Sequence, residues 1–246
     1  MGRELPILFN TDMVQAVMDD RKTATRRVIK PQPRAVLAYA FAGHKSGTWG
    51  YADGEAYKIW GDRYRLPDGI PDGELKRRWT PPCNTGDTLW VREAWAFQCC
   101  IECMDQLEDE TCMLGKMSTI HEDKEAESEG CYIYRGEHPH PDRIVWRPSI
   151  HMPKDAARIW LKVTGVTVER LHDMTLDDFL SEGVVLRPEA FNDPDNAYLQ
   201  AREIFKGIWD STVRKNELAR HGWEADPWVW AVRFERCGKP AAGEGE

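Results

Sequence analysis

The chain has no run of about 20 apolar residues, which is the length that a helix needs to cross a bilayer. Residues 1–13 contain only a short apolar run interrupted by acids, unlike a secretory signal, and Pro6 stands where a myristoylation signal needs Ser or Thr. We therefore predict a cytoplasmic protein with no membrane partner, in which the seven cysteines are reduced thiols.

An even distribution of charge is also missing, because the net charge of −8 comes from one segment. Residues 101–131 contain ten acidic side chains and two lysines, and the rest of the chain has 31 basic and 31 acidic side chains. The overall acidity therefore does not exclude a polyanionic ligand elsewhere on the protein. The 11 tryptophans are abundant, and such rings either build a core with wet edges or stack on flat ligands.

Apolar spacing and turn residues predict a few helices among many strands. A strand at 5–9 leads into a helix capped by Asn10, Thr11 or Asp12, and a hairpin pairs 48–51 with 56–60. A long strand at 159–171 carries a bulge at Gly165. The other predicted elements are strands at 88–93, 131–134 and 228–234, a helix at 176–181 between Thr175 and Gly183, and a helix at 196–213 with Leu199, Ile204, Ile208 and Trp209 on its apolar face.

The helices are too few and too unevenly spaced for βαβ units, which predicts an α+β fold built on a mixed β-barrel with helices around its mouth. We expect a single domain over 1–236, with insertions at about 31–85 and 99–131. Residues 237–246 are rich in Gly, Pro, Ala and Glu, and they predict a flexible tail.

Residues 21–34 contain six basic side chains and no acid. Lys22 and Thr25 lie three positions apart, so a turn would bring the amine near the hydroxyl. A threonine needs a base to become a nucleophile, and a lysine serves as one when burial or neighbouring cations such as Arg21, Arg26 and Arg27 lower its pKa. The alternatives are that this segment contacts a ligand or phosphate, or that it is a solvated turn capped by its threonines.

Four stretches together resemble the ASCH family of the PUA-like superfamily. They are Asp20 to Arg27 after a short helix, Gly86 to Glu93, the long strand and short helix from Val163 to Gly183, and the closing strand from Trp228 to Phe234. The order of these motifs, with Trp146 to Pro153 between the second and third, is similar to ASCH proteins of bacteriophages and prophages. The resemblance implies a PUA-like fold, RNA binding, and residence in a bacterial host cell if the protein is phage-encoded.

Some ASCH proteins hydrolyse the acetyl amide of N4-acetylcytidine. In them the lysine and second threonine of a Lys-Thr-x-Thr segment and a glutamate after the long strand are catalytic, which implies the same roles for Lys22, Thr25 and Glu182 here. Those enzymes are far shorter, and Arg26 here stands where they often have an apolar residue, so the substrate need not be identical.

Further binding residues are predicted outside this catalytic set. Arg21, Arg26 and Arg27 suit phosphate contacts, as do Lys30 and Arg34 unless these two lie on a solvated face. Two other groups are predicted to bind nucleic acid or substrate, with an ion pair and a core tryptophan as the structural alternative for the first. These groups are Arg92, Glu93 and Trp95, and then Arg147, Ser149 and His151 in a stiff segment between prolines.

Cysteines gather in the acidic segment, where Cys99, Cys100 and Cys103 are followed by Cys112, His121 and Cys131. Structural zinc requires four nitrogen or sulfur ligands, and Cys100-x-x-Cys103 forms one half-site without a matching second pair. We therefore predict neither a metal nor a cofactor.

The sequence leaves several functions open. The first is recognition of a nucleotide or nucleic acid, extended to hydrolysis of an N4-acylated cytidine amide. The others are non-catalytic binding of RNA or single-stranded DNA, a less favoured ribonuclease activity, and a phage assembly or accessory role in which the acidic insertion docks a partner.

Overall fold

The computed structural model describes residues 2–32, 80–97, 132–137 and 144–240 in full. It describes the backbone alone at 49–52, 55–60, 63–64, 77–79, 98–99, 121–123 and 128–131. The strands are β1 (Glu4–Leu8), β2 (Ala24–Val28), β3 (Trp49–Ala52), β4 (Glu55–Trp60), β5 (Arg63–Tyr64), β6 (Arg77–Trp79), β7 (Thr88–Arg92), β8 (Trp95–Cys99), β9 (His121–Asp123), β10 (Ser128–Tyr134), β11 (Trp160–Arg170) and β12 (Trp228–Cys237). The α-helices are α1 (Thr11–Met18), α2 (Leu176–Ser181), α3 (Pro194–Thr212) and α4 (Leu218–His221).

The main sheet has the order β1-β7-β11-β12-β2, with β1 parallel to β7 and the other pairs antiparallel. This mixed sheet with few helices confirms the predicted α+β class. Within the residues described, no ladder joins the edge strands β1 and β2, so the sheet is open and the predicted closed barrel is not formed there. The short connection through α1 carries the chain from one edge strand to the other.

The described strands also form two smaller sheets. One has the order β8-β10-β9, and the other has the order β5-β4-β3-β6. The predicted hairpin is confirmed, because Tyr51 pairs with Ala56 across β3 and β4. The predicted bulge in β11 is also present, at the register shift between Val163 and Gly165.

Local sequence explains why the helices begin where they do. The side chain of Asn10 accepts a hydrogen bond from Met13 N at 2.8 Å and caps α1. Thr175 and Asp178 form a reciprocal capping box at the start of α2. Asp193 caps α3, with Pro194 in its first turn.

The largest apolar clusters lie against different helices. Val14 and Val17 of α1 pack with Leu161 and Val163 of β11 in the first. The second joins α2, α3 and the turn before β12, with Phe179 and Trp223 at 0% and 1% exposure, and burying side chains of this size contributes roughly 1.5–3 kcal/mol each. The remaining large members of this second cluster include Phe205, Trp209 and Leu171.

The predicted apolar face of α3 is wrong in three of its four residues. Leu199, Ile204 and Ile208 are exposed, and Trp209 is buried as expected. The buried face instead follows a spacing of four and consists of Ala197, Ala201, Phe205 and Trp209. This face combines two small and two large residues, and Phe205 packs against Phe179 of α2 with ring centroids 5.4 Å apart.

Candidate functional site

The site begins where α1 ends and the chain turns into β2. Asp20 adopts a left-handed conformation with φ of 56°, which an aspartate tolerates better than most residues. The backbone N–H groups of Arg21 and Lys22 then both donate to Ala16 O, at 2.8 and 2.9 Å. This tight turn directs Lys22 inward, and it is only 2% exposed.

Glu182 reaches the same place from the end of α2. Thr23 N donates to Ser181 O at 2.8 Å, and the backbones of Lys22 and Glu182 form an isolated bridge. Gly183 follows with φ of 96°, and a Cβ there would lie 2.9 Å from the Cβ of Ala16. A glycine is therefore required for the end of α2 to pack this closely against α1.

Lys22 and Glu182 form a buried ion pair. Lys22 Nζ lies 2.5 Å from Glu182 Oε2 and also donates to Glu182 O at 2.9 Å. Burial lowers the pKa of Lys22, although the Glu182 carboxylate opposes this effect. The lysine is thus closer to releasing its proton than an exposed lysine would be.

Arg26 lies among three carboxylates on the other side of Glu182. Its guanidinium contacts Glu182 Oε1 at 3.3 Å, Glu169 Oε1 at 2.6 Å and Asp178 Oδ1 at 2.8 Å. Burial disfavours the charged form of Arg26, but Glu182, Glu169 and Asp178 outweigh this effect and raise its pKa. Burial also raises the pKa of Glu169, against the influence of Arg26.

Thr25 and Arg27 project from the same face of β2 and contact each other. Arg27 Nη1 donates to Thr25 Oγ1 at 3.0 Å and to Arg26 O at 3.1 Å, while Nη2 donates to Leu8 O at 3.2 Å. Leu8 belongs to β1, so this guanidinium spans the gap between the two edge strands. All three acceptors are uncharged, and among the residues described no carboxylate lies within ion-pair distance of Arg27.

These side chains line an inner cavity of about 160 Å³, at the β2 edge of the sheet between α1 and α3. It adjoins an outer cleft of about 560 Å³, with which it shares Arg27 and Trp209 among other lining residues. The inner cavity is lined by Lys22, Thr25, Arg26, Arg27, Glu182 and Gly183 together with residues of α1 and α3.

The structure thus brings Lys22, Thr25 and Glu182 to one cavity, together with Arg26 and Arg27. Arg21 is adjacent, where it donates to Gly183 O at 3.2 Å, and Ser149 lines the outer cleft. The predicted turn at Lys22 and Thr25 is wrong, because residues 24–28 pair with β12 as a strand. Lys22 Nζ accordingly binds Glu182, and no hydrogen bond joins it to Thr25.

The other predicted binding residues line neither of these two cavities. Glu93 is buried and accepts two hydrogen bonds from Arg158, at 2.8 and 2.9 Å, and burial raises the pKa of Glu93. Trp95 is buried edge-on against Tyr132 with ring centroids 5.6 Å apart, and Arg147 stacks over Trp95 at 5.0 Å. These contacts match the structural alternative of an ion pair and a core tryptophan.

Arg92 and His151 also lie outside the cavities. Arg92 stacks over Trp90 at 4.5 Å and donates to Ile150 O at 3.1 Å. His151 is exposed in a single 3-10 turn. Lys30 is paired with Glu217 at 2.9 Å, and Arg34 lies outside the described residues.

Three residues of this region are not predicted from the sequence, namely Glu169, Asp178 and Arg214. Asp178 had a local signal, because it completes the Thr175-x-x-Asp178 capping box, but that signal concerns α2 and not Arg26. Glu169 had none, since only the pairing of β11 and β12 brings it opposite β2. Arg214 follows α3 and lines the outer cleft.

The six candidate zinc ligands fall outside the described side chains. Cys100, Cys103 and Cys112 lie outside the described residues, and only the backbone is described at Cys99, His121 and Cys131. In the described part of the chain, no three His, Cys, Asp or Glu side chains are grouped for a metal. Cys83 is buried there, and burial raises its pKa to about 11, which keeps its thiol protonated.

No family model, curated protein or solved structure matches this chain. Among the described helices, none is both long enough and apolar enough to pass through a membrane. The function must therefore be argued from the geometry of the inner cavity and outer cleft.

Proposed function

We propose that the protein is a nucleotide-recognising protein of the ASCH type, with a PUA-like fold, and that it hydrolyses the amide of an N4-acylated cytidine in the cytoplasm. The observation that carries this proposal is the buried Lys22–Glu182 pair beside Thr25 in one cavity. A buried amine with a lowered pKa, a hydroxyl and a carboxyl group supply the base, nucleophile and acid of an acyl transfer.

The proposed reaction begins with proton movement within the Lys22–Glu182 pair. Lys22, whose pKa burial lowers, passes one proton to Glu182 Oε2, and its amine is then free to accept another. Lys22 then takes the hydroxyl proton of Thr25, and the oxygen attacks the acyl carbon. The guanidinium of Arg27, at 3.0 Å from that oxygen, stabilises negative charge on it.

The carbon–nitrogen bond breaks as Glu182 gives its proton to the N4 amine, which leaves as cytidine. Water, deprotonated by the Glu182 carboxylate, then hydrolyses the ester on Thr25, and Lys22 returns its proton to the threonine oxygen. The products are a carboxylic acid and cytidine. Lys22 must turn from Glu182 toward Thr25 for the first step, and catalytic hydrogen bonds often tighten in this way when a substrate binds.

The decisive experiment compares Thr25→Ala with Thr23→Ala on N4-acetylcytidine. Thr25 is 1% exposed and lines the cavity, whereas Thr23 is exposed two positions earlier, so it is a matched control. We expect Thr25→Ala to lower kcat by at least about 10³-fold, with Thr23→Ala within twofold of the parent. Normal turnover by Thr25→Ala would remove this threonine from the reaction.

The second candidate is a non-catalytic binder of RNA or single-stranded DNA. It is favoured by the guanidinium of Arg27, which makes no ion pair among the described residues and lines an open cleft. It predicts no turnover by the parent protein, and binding to single strands that weakens steeply with salt. The same preparation distinguishes the candidates, because hydrolysis requires Thr25 whereas phosphate binding does not.

A further inference from the structure

The outer cleft has the size of a ligand site. Its volume of about 560 Å³ lies within the range of roughly 300–1,000 Å³ that is usual for sites of small molecules. Arg27 on β2 and Arg214 after α3 both line it, and Trp209 lines it together with the inner cavity. A single ligand can therefore extend from Thr25 into the outer cleft.

Among the residues that the structure describes, two of the cations that line the outer cleft have no carboxylate within ion-pair distance. Lys30 is neutralised by Glu217, the acid on this cleft, at 2.9 and 3.1 Å, and Arg26 is held by its three carboxylates. In the described ranges, Arg27 donates only to uncharged oxygens and Arg214 has no carboxylate within 4.0 Å. Two guanidiniums without a direct ion pair thus line the cleft.

We propose that the outer cleft binds a terminal phosphate monoester on the nucleoside whose base enters the inner cavity. The part of this proposal that places the nucleobase in the inner cavity rests on the proposed function. A guanidinium presents a planar fork of donors that fits phosphate oxygens, and a monoester carries a charge of about −1.5 to −2 near pH 7. Two guanidiniums balance that charge, whereas a phosphodiester would leave one of them uncompensated.

Arg214 gives the cleaner test, because Arg27 also contacts Thr25. The test compares kcat/KM for N4-acetylcytidine and for its 5′-monophosphate in the parent protein, in Arg214→Gln and in Arg220→Gln. Arg220 is an exposed arginine on α4 that does not line the cleft, so its variant controls for the lost charge. The parent should prefer the nucleotide by about tenfold or more, which corresponds to about 1.4 kcal/mol for a charged hydrogen bond.

Arg214→Gln should lose this preference, while its kcat/KM for the bare nucleoside stays within twofold of the parent value. Arg220→Gln should keep both the preference for the nucleotide and the parent kcat/KM for the nucleoside. Equal kcat/KM for nucleotide and nucleoside in the parent, with no effect of Arg214→Gln, would overturn the phosphate site and leave the hydrolase standing.

Calorimetric binding of cytidine 5′-monophosphate and cytidine tests the phosphate site without turnover. Weaker nucleotide binding by Arg214→Gln than by Arg220→Gln, with no change for cytidine, supports the site even if no acylated cytidine is hydrolysed. Equal nucleotide binding by both variants overturns it. Binding of a 5′-phosphorylated and a 5′-hydroxyl oligocytidylate then identifies the source of the phosphate. Preference for the phosphorylated strand indicates that the ligand is the end of a strand, whereas binding of neither strand indicates a free nucleotide.

Discussion

Arg26 and Arg158 are both arginines held among carboxylates, at two different places in the protein. Arg26 contacts Glu169, Asp178 and Glu182 at the β2 edge of the main sheet. Arg158 contacts Glu93 through two hydrogen bonds and reaches Glu137 at 2.6 Å. Both clusters satisfy the rule that buried charges are paired, so pairing alone does not distinguish a site from a structural contact.

The surroundings of the two clusters differ. Arg158 stacks over Tyr134 at 4.1 Å, so its planar face and its donors are engaged within the protein. The Arg26 cluster instead adjoins a second cation, Lys22, a buried hydroxyl and a cavity. A buried charge cluster is therefore a candidate reaction site when a hydroxyl group and space for a ligand lie beside it.

The largest predicted difference between the clusters is in turnover. Glu182→Gln should lower kcat/KM for N4-acetylcytidine by at least about 10²-fold, because the amide can neither accept nor supply a proton. The matched Glu93→Gln should stay within twofold, because Glu93 lines neither the inner cavity nor the outer cleft. Steady-state kinetics with circular dichroism as a folding control measures both, and equal losses in the two variants would contradict the distinction.

The next difference is in stability. Arg26→Met should lower the free energy of unfolding by about 3–5 kcal/mol, because it removes a buried cation that three carboxylates share. Glu182 keeps Lys22 and Asp178 keeps Arg233, but Glu169 has no other ion pair among the described residues. Arg158→Met should cost less, since it leaves two carboxylates, and the side chain of Arg158 is 17% exposed whereas that of Arg26 is 1% exposed. Urea denaturation measures both values.

The loss in Arg26→Met should also depend on pH. Burial already raises the pKa of Glu169, and removing Arg26 takes away the main charge that opposes this rise, so protonation of Glu169 stabilises the fold. The cost should therefore be smaller at about pH 5 than at about pH 8, where Glu169 is ionised. A cost that grows on acidification would show that ionised Glu169 is not the source of the loss.

The sequence predicts the parts of this site that have local signals. Asn10 and the spacing of Val14 and Val17 indicate α1, and Thr175 with Gly183 indicates both ends of α2. The positions of Lys22 and Glu182 follow from these elements, because each lies directly beyond a predicted helix. The resemblance supplied the pairing of the two, which helix signals alone do not contain.

The sequence does not predict contacts that depend on sheet order. Glu169 lies 143 residues from Arg26, and they meet only because β12 pairs with both β11 and β2. The spacing of Lys22 and Thr25 predicts a turn, yet residues 24–28 form β2, and carboxylates from β11, α2 and the residue after α2 surround the buried Arg26. The predicted α3 face is wrong because alanine counts little in a hydrophobic pattern, although Ala197 and Ala201 are buried.

The smallest predicted difference concerns two carboxylates that each bind a buried arginine. Burial acts against ionised Asp178, but hydrogen bonds from Thr175 and the charge of Arg26 leave its pKa lowered. Asp178 therefore contributes stability above its unfolded pKa of about 3.9, and this stability is lost as the pH falls through the folded value. Glu93 has the opposite sign, because burial outweighs Arg158 and raises its pKa.

Asp178→Asn should cost about 1–3 kcal/mol at pH 7, from weaker hydrogen bonds at the start of α2, and this cost should shrink as the pH falls below about 4. The cost of Glu93→Gln should instead shrink as the pH rises above about 4.3, because ionised Glu93 makes the parent less stable there. Urea denaturation between pH 3 and pH 7 measures the two trends. If both costs grew together with pH, Glu93 would be as well stabilised in its ionised form as Asp178, and burial would not separate the two clusters.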